Sequence, residues 1–508
     1  MRFAVKDTLT DEEIQSGLRA LIKDGAASMA FSTLTGGPFL VAFALKLGAS
    51  NLLIGLLAAI PPLAQLIQIP AIYLVQKIRN RKAISFSASG VNRLFWLSVA
   101  FIPFFFSGTA GLMFLVVAMI IYSVIAAVSN CSWNSWMRDL VPQDQLGSFF
   151  SKRMGVSTGL GIVLGLAGAF YIDSWKRAFP DLELHGFSIL FAGGVLAGII
   201  GVYYITTIPE PKMASVKGDQ HFFQLVVRPF RDENFKELIM FLGSWNFAVN
   251  LAAPFFTVYM LQRLQLHMSF VIVLTVLSQI TNVMFLRIWG KFSDRFSNKS
   301  VLGVSGPLFM ACTLAFAFTT MPERYFLTVP LLVMIHIFMG ISMAGVTLAS
   351  GNIGLKMAPK GEATAYLAAS NLVNSLAAGV APILGGKFAD FFAARQLSLM
   401  LKWTSPAKEL TFQTLNFQHW DFFFLFAFLI GFYSIHRLTK VKEIGEVEED
   451  IVIQELISQV KRNMRNLSSV GGLRQMVHFP ISVVYSPLSI GKRSMRGSRK
   501  QSKSRDGI

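Results

Sequence analysis

The chain has little charge and almost no cysteine, and both shortages narrow what it can be. Charged residues fill 15% of its 508 positions and apolar residues 53%, with a mean hydropathy of +0.53. Soluble domains carry about 25% charged residues, so a water-facing surface cannot be built from this composition. The two cysteines, Cys131 and Cys312, both lie in apolar stretches, which excludes a disulfide framework or a zinc knuckle. A Gly-Lys-Ser/Thr phosphate loop, a Gly-x-Ser-x-Gly turn and paired metal ligands are also missing. No enzyme, ATP-driven pump or bound cofactor is therefore expected. The opening "MRFAVKDTLTDEEIQSGLRALIKDG" is charged and lacks a signal-peptide core. It reads as a short helix leading into the first apolar run.

Apolar runs are what the chain has in abundance. Runs of about 20 residues can cross a bilayer as helices, and lipid offers no partner to an unpaired backbone group. The expectation is an all-α polytopic membrane protein with twelve transmembrane helices, near residues 25–47, 52–75, 83–107, 110–134, 151–173, 186–207, 237–261, 268–289, 301–321, 326–352, 363–387 and 421–437. The formal net charge of +18 follows topology, not a nucleic-acid partner: fourteen Lys and Arg residues follow Tyr433. Most others lie in loops after even-numbered spans, such as Lys77, Arg79, Arg81 and Lys82, or Arg287, Lys291, Arg295 and Lys299. Basic loops stay in the cytoplasm. Both termini are expected there, in a multi-pass protein of the cell (inner or plasma) membrane.

One offset of 217 residues maps the first half onto the second. Pro142 falls on Pro359, Asp173 on Asp390, Gly168 on Gly385, Gln65 on Asn282 and Lys82 on Lys299. The division that follows is an N-terminal cytoplasmic segment 1–24, a six-helix half 25–207, a linker 208–236, a parallel six-helix half 237–437 and a basic tail 438–508. Two such halves resemble the major facilitator superfamily of secondary transporters, over roughly Gly25 to Arg437. The family's Gly-x-x-x-Asp-Arg signature with a following basic residue is matched after span 8 by Gly290, Asp294, Arg295 and Lys299. After span 2 the pattern departs, with Tyr73 for the glycine and Lys77 for the acid. The family's span-4 arginine motif is missing. The resemblance implies a solute site at the midplane between the halves. It also implies that Asp294 caps the start of span 11, around Gly361 to Ala365, and latches the cytoplasmic side.

Polar groups within the spans are mostly neutral: Gln65 and Gln68, Asn246 and Asn250, Gln279 and Asn282, Asn371 and Asn374, each pair on one helix face. Interhelical hydrogen bonding is one use for them. Span 7 faces the cavity in the family, so Asn246 and Asn250 are the first solute candidates, with Gln65, His336 and Asn371 able to meet them. His336, the titratable group nearest a span centre, is a candidate proton carrier or a neutral histidine bonded to a neighbouring helix. Asp24, Asp173 and Asp390 fall at span ends, and Arg93 is expected to snorkel to the cytoplasmic face. Without a centred counter-ion, a neutral, zwitterionic or amphipathic solute is expected. A coupling ion, proton or sodium, is a possible partner. In the tail, Ile453, Leu456, Ile457, Val460, Met464 and Leu467 form one apolar helical stripe beside Lys461, Arg462 and Arg465, suited to the inner face or to anionic membrane lipid. Two classes of function compete: a secondary transporter working by alternating access, and a transporter-like sensor or assembly factor without transport.

Overall fold

The computed structural model describes residues 5–142, 145–213, 228–320, 324–359, 363–405, 408–443, 445, 447 and 449–467. The first half holds α1 (Asp11–Thr35), α2 (Gly37–Lys46), α3 (Asn51–Ala64), α4 (Gln68–Ile78), α5 (Arg81–Ala100), α6 (Ile102–Phe105), α7 (Gly108–Leu140), α8 (Leu146–Ala178) and α9 (Glu183–Thr207). The second holds α10 (Glu233–Val258), α11 (Met268–Arg295), α12 (Asn298–Ala315), α13 (Thr328–Met357), α14 (Ala363–Phe392) and α15 (Trp420–Thr439), followed by the tail helix α16 (Glu449–Leu467). Among the described residues, eleven helical segments are long and apolar enough to cross a membrane. The third expected span is not one of them, because Asn92, Arg93 and four serines dilute α5. It still packs inside the first half, against α7 and α9.

Proline and glycine break the helices where the sequence places them. The chain turns at Gly36 between α1 and α2, where Gly37 takes φ +54°, and Pro61 and Pro62 precede a 3-10 turn at Gln65–Ile67. Pro254 precedes a π turn at Tyr259–Arg263. Each proline removes one backbone donor and crowds the carbonyl a turn earlier, which loosens the helix locally.

Two small β elements mark opposite faces. Strand β1 (Val5–Lys6) pairs in parallel with β2 (Glu210–Pro211), tying the N-terminal segment to the start of the linker. We call this the linker face. On the other side β3 (Gln396–Ser405) and β4 (Lys408–Gln418) form an antiparallel hairpin, with Gln396 opposite Gln418 and a register shift at Leu399/Met400. The hairpin lies between the expected spans 11 and 12.

The buried core shows how the halves meet. Toward the hairpin face one continuous cluster takes residues from both halves, including Phe43, Trp96 and Phe191 with Phe255, Phe316 and Trp420. Toward the linker face the core divides, around Leu21 and Trp136 in the first half and Trp245 and Trp289 in the second. Helices α3 and α14 make the closest approach between halves, where a Cβ on Gly55 would strike the Pro382 carbonyl and one on Gly386 the Asn51 carbonyl. The halves are thus joined at the hairpin face and separate at the linker face. The tail helix docks on the second half through buried Val452 and through Leu456, while Ile453 and Ile457 of the expected stripe are exposed.

Candidate functional site

A cavity of about 270 Å³ opens between α10, α13 and α14. Helix α10 contributes Trp245 and Asn246, α13 contributes Thr347, Ser350 and two glycines, and α14 contributes Ser370, Asn371 and Asn374. Asn246 Nδ2 donates to Leu242 O at 2.9 Å and to Asn374 Oδ1 at 3.0 Å, linking α10 to α14. The hydroxyls of Ser350 and Ser370 are buried without a hydrogen-bond partner. Among the described residues no charged side chain lines the cavity. Its chemistry is that of amides and hydroxyls, with two donor–acceptor groups waiting for a partner.

Of the residues expected at the site, Asn246 and Asn371 line this cavity together. Asn250 lies one turn along α10 and donates to Asn246 O at 2.8 Å. Gln65 sits in the 3-10 turn of the first half, bonded to Gln68. His336 is buried, with Nδ1 2.8 Å from Leu332 O of its own helix and its ring edge-on to Phe316. The bond runs within α13 and not to a neighbouring helix. Sequence reasoning passed over Thr347, Ser350 and Ser370. The spacing Thr347, Ser350, Gly351, Gly354 puts small and polar residues on one face of α13, a signal that could have found the first two.

Two carboxylates fasten the halves on the hairpin face. Asp173, near the end of α8, accepts from the N–H groups of Met268 (3.1 Å) and Ser269 (2.8 Å) at the start of α11. Asp390, near the end of α14, accepts from the N–H groups of Asn51 (3.1 Å) and Leu52 (2.9 Å) at the start of α3, and from Asn51 Nδ2 at 2.9 Å. The first N–H groups of a helix have no partner within it, and a carboxylate there also meets the positive end of the helix dipole. Each acid belongs to one half and caps a helix of the other.

On the linker face, capping stays within each half. Glu210 accepts from the N–H groups of Arg81 (2.7 Å) and Lys82 (3.1 Å) and lies 3.4 Å from Arg81 Nε. Arg81 is fully buried and also donates to Asp139, to Ser135 O at 3.0 Å and to Pro211 O at 2.6 Å. In the second half Glu443 accepts from Lys299 N–H (2.7 Å) and Asn298 Nδ2 (2.9 Å), and pairs with Lys356 at 3.1 Å. The offset puts Asn298 where the first half has Arg81, and Lys356 where it has Asp139. The cation has moved from one helix to the other.

The signature after span 8 is arranged around the tail. Arg295 pairs with Glu455 of α16 at 3.3 Å, and Gly290 packs near Leu348. Asp294 is exposed; of the segment it was expected to cap, Gly361 and residue 362 lie outside the described residues. Two polar positions differ from expectation. Asp24 is buried, with Oδ2 3.5 Å from Arg153 Nη2. Arg93 does not reach for a face, because its guanidinium carbon lies 3.8 Å from the centre of the Phe31 ring.

The family model described as Major Facilitator Superfamily matches residues 25–382. No curated protein matches the chain by sequence. Among solved structures, the nucleoside transporter NupG is similar at TM-score 0.59 and 14% identity, covering 85% of this chain and 98% of its own. A D-xylose-proton symporter matches at TM-score 0.59 and 12% identity, covering 86% and 98%. An inward-facing bacterial homolog of the human lysosomal transporter Spinster matches at TM-score 0.56 and 15% identity, covering 76% and 84%. At these identities the likeness concerns the fold.

Proposed function

The chain belongs to the major facilitator superfamily, and we propose that it is a secondary transporter that moves a small polar solute by alternating access between two six-helix halves. The observation that carries the reading is the cavity in the second half, where Asn246, Asn371 and Asn374 stand beside the unpartnered hydroxyls of Ser350 and Ser370. A buried hydroxyl without a partner costs about 1–3 kcal/mol, and a hydrogen-bonding solute removes that cost. The shared core and the Asp173 and Asp390 caps at the hairpin face, against divided cores at the linker face, support a state closed on one side only.

In this reading the linker face is cytoplasmic, as its basic loops favour, and the protein spans the cell membrane. Asp294 fastens the linker face in the opposite state. His336 is sealed by Phe316 and its own helix, so a coupling proton or sodium ion would be held elsewhere. The basic residues after Leu467, expected to bind anionic lipid, lie outside the described residues. The test is flux into proteoliposomes holding the full chain, over mixed neutral and singly charged metabolites. Uptake that Asn246→Ala weakens supports the reading. A chain that binds solutes but moves none across the bilayer is a sensor instead.

A further inference from the structure

We propose that Arg93 of the first half binds a single carboxylate group of the solute. The proposal rests on the transporter reading and names its substrate class: a small molecule with one carboxylate and a neutral polar end.

Arg93 lies twelve residues into α5, about 18 Å from the linker-face end of that helix. Its guanidinium rests on the Phe31 ring, and its Nε is buried with no hydrogen-bond partner. Trp96, one turn further, is 3% exposed, and its indole N–H interacts with the Tyr122 hydroxyl. The rings of Phe31, Trp96 and Tyr122 stand around this point with centroids 5.7–6.3 Å apart. The cluster therefore holds a cation and one neutral acceptor, the Tyr122 hydroxyl, but no anion. A charge at such depth is costly unless something pairs with it.

Charge counting sets the ligand. Asp24, which Arg93 meets only through space, is paired with Arg153. Two arginines thus face one acid, and one positive charge remains. A monoanion balances it, whereas a phosphate dianion would overshoot. The flat guanidinium fork also matches a carboxylate's two oxygens.

The second half supplies an internal control. At the 217-residue offset Arg93 becomes Met310. A Cβ on Gly198 would strike Arg93, and one on Gly431 would strike Met310. Both side chains thus fill a hollow beside a glycine, and the neutral one fills it without a charge. Packing does not explain why the first half uses arginine.

The experiment titrates the purified full-length protein, by tryptophan fluorescence, with matched probes: lactate against lactamide, and N-acetylglycine against its amide. The parent should favour the carboxylate of at least one pair by about tenfold or more, as a charge-assisted bond requires. Arg93→Met, which Met310 shows to be an acceptable shape, should abolish that preference. Asn246→Ala should weaken both members of the pair alike. Should the methionine variant not fold, Arg93→Lys serves, and should lose most of the preference with the fork. No carboxylate preference in the parent, or one that survives these Arg93 variants, overturns the proposal. If flux then still depends on Asn246, the transporter reading stands and only Arg93 is misassigned. Carboxylate binding through Arg93 without flux sinks the transporter reading alone.

Discussion

Asp173 and Asp390 occupy one position in the two halves, and each caps a helix of the opposite half. The N–H groups they hold, at Met268 and Ser269 and at Asn51 and Leu52, are related by the same 217 residues. The two contacts form a matched pair across the hairpin face. Replacing either acid by asparagine keeps the shape but removes the charge. A net loss of about 1.4 kcal/mol per contact shifts the closed-to-open ratio tenfold. Spin labels at Lys46 and Gln265, one in each half, should report longer distances in Asp173→Asn and Asp390→Asn. An unchanged distribution in the double variant would remove these contacts from any gating role.

Ser350→Ala and Ser370→Ala should separate stability from binding. Each deletes a buried hydroxyl that has no partner, so the solute-free protein should melt at the same temperature or higher. The extra stabilisation that the solute confers should shrink. Loss of stability without solute would show that these hydroxyls already have partners.

Asn246 and Asn374 should act as a unit. Their side chains meet at 3.0 Å, so removing either leaves the other short of a bond. Each alanine variant should raise the solute's dissociation constant several-fold, for a loss of roughly 1 kcal/mol. The double variant should cost less than the sum, because neighbours in one network are not additive. Strict additivity in the double-mutant cycle would argue that only one of them touches the solute.

The exchanged cations on the linker face predict unequal costs. Arg81 is fully buried between Glu210 and Asp139, and its loss removes the cation that both acids share. Arg81→Ala should cost roughly 3–5 kcal/mol. Lys356 is 50% exposed and meets Glu443 at 3.1 Å, so Lys356→Ala should cost about 1 kcal/mol or less. Thermal unfolding of the two variants in detergent measures the contrast. Equal melting temperatures would contradict it.

His419 predicts a pH dependence. It precedes α15 at the hairpin face, outside the spans, with a buried Nε2 that lacks a partner. Burial lowers its pKa below the ordinary 6.5, the Arg263 charge lowers it further, and the Ala389 carbonyl and Asp390 oppose the shift. The unfolded chain therefore takes up its proton first as pH falls. Stability from this residue is full above about 6.5 and is lost as pH drops from there through the lowered folded value. His419→Gln should flatten the acid side of the stability profile. An identical profile in the variant would assign the acid loss to other groups.

Much of the site was legible as residue types and spacing. The i,i+3 and i,i+4 amide pairs marked α10 and α14 because polar groups in a span need partners. Their use was not legible. Asn250 turned back to its own helix and His336 settled against Phe316 of the preceding segment, outcomes set by packing and not by spacing. Ser350 and Ser370 stood out only once burial showed that they lacked partners.

The sequence by itself determined that this chain is a helical membrane protein with an internal offset repeat, since apolar run length and residue identity at fixed spacing are properties of the string alone. It also marked Asp173 and Asp390 as equivalents. Tertiary structure decided what they do, because a carboxylate can cap a helix only when folding brings that helix's unpaired N–H groups within reach. It likewise decided the fate of Arg93. A long cationic side chain within a span can reach for water or turn inward, and the difference lies in whether an aromatic ring and a glycine hollow await it. Phe31 and Gly198 do, and neither adjoins Arg93 in the chain.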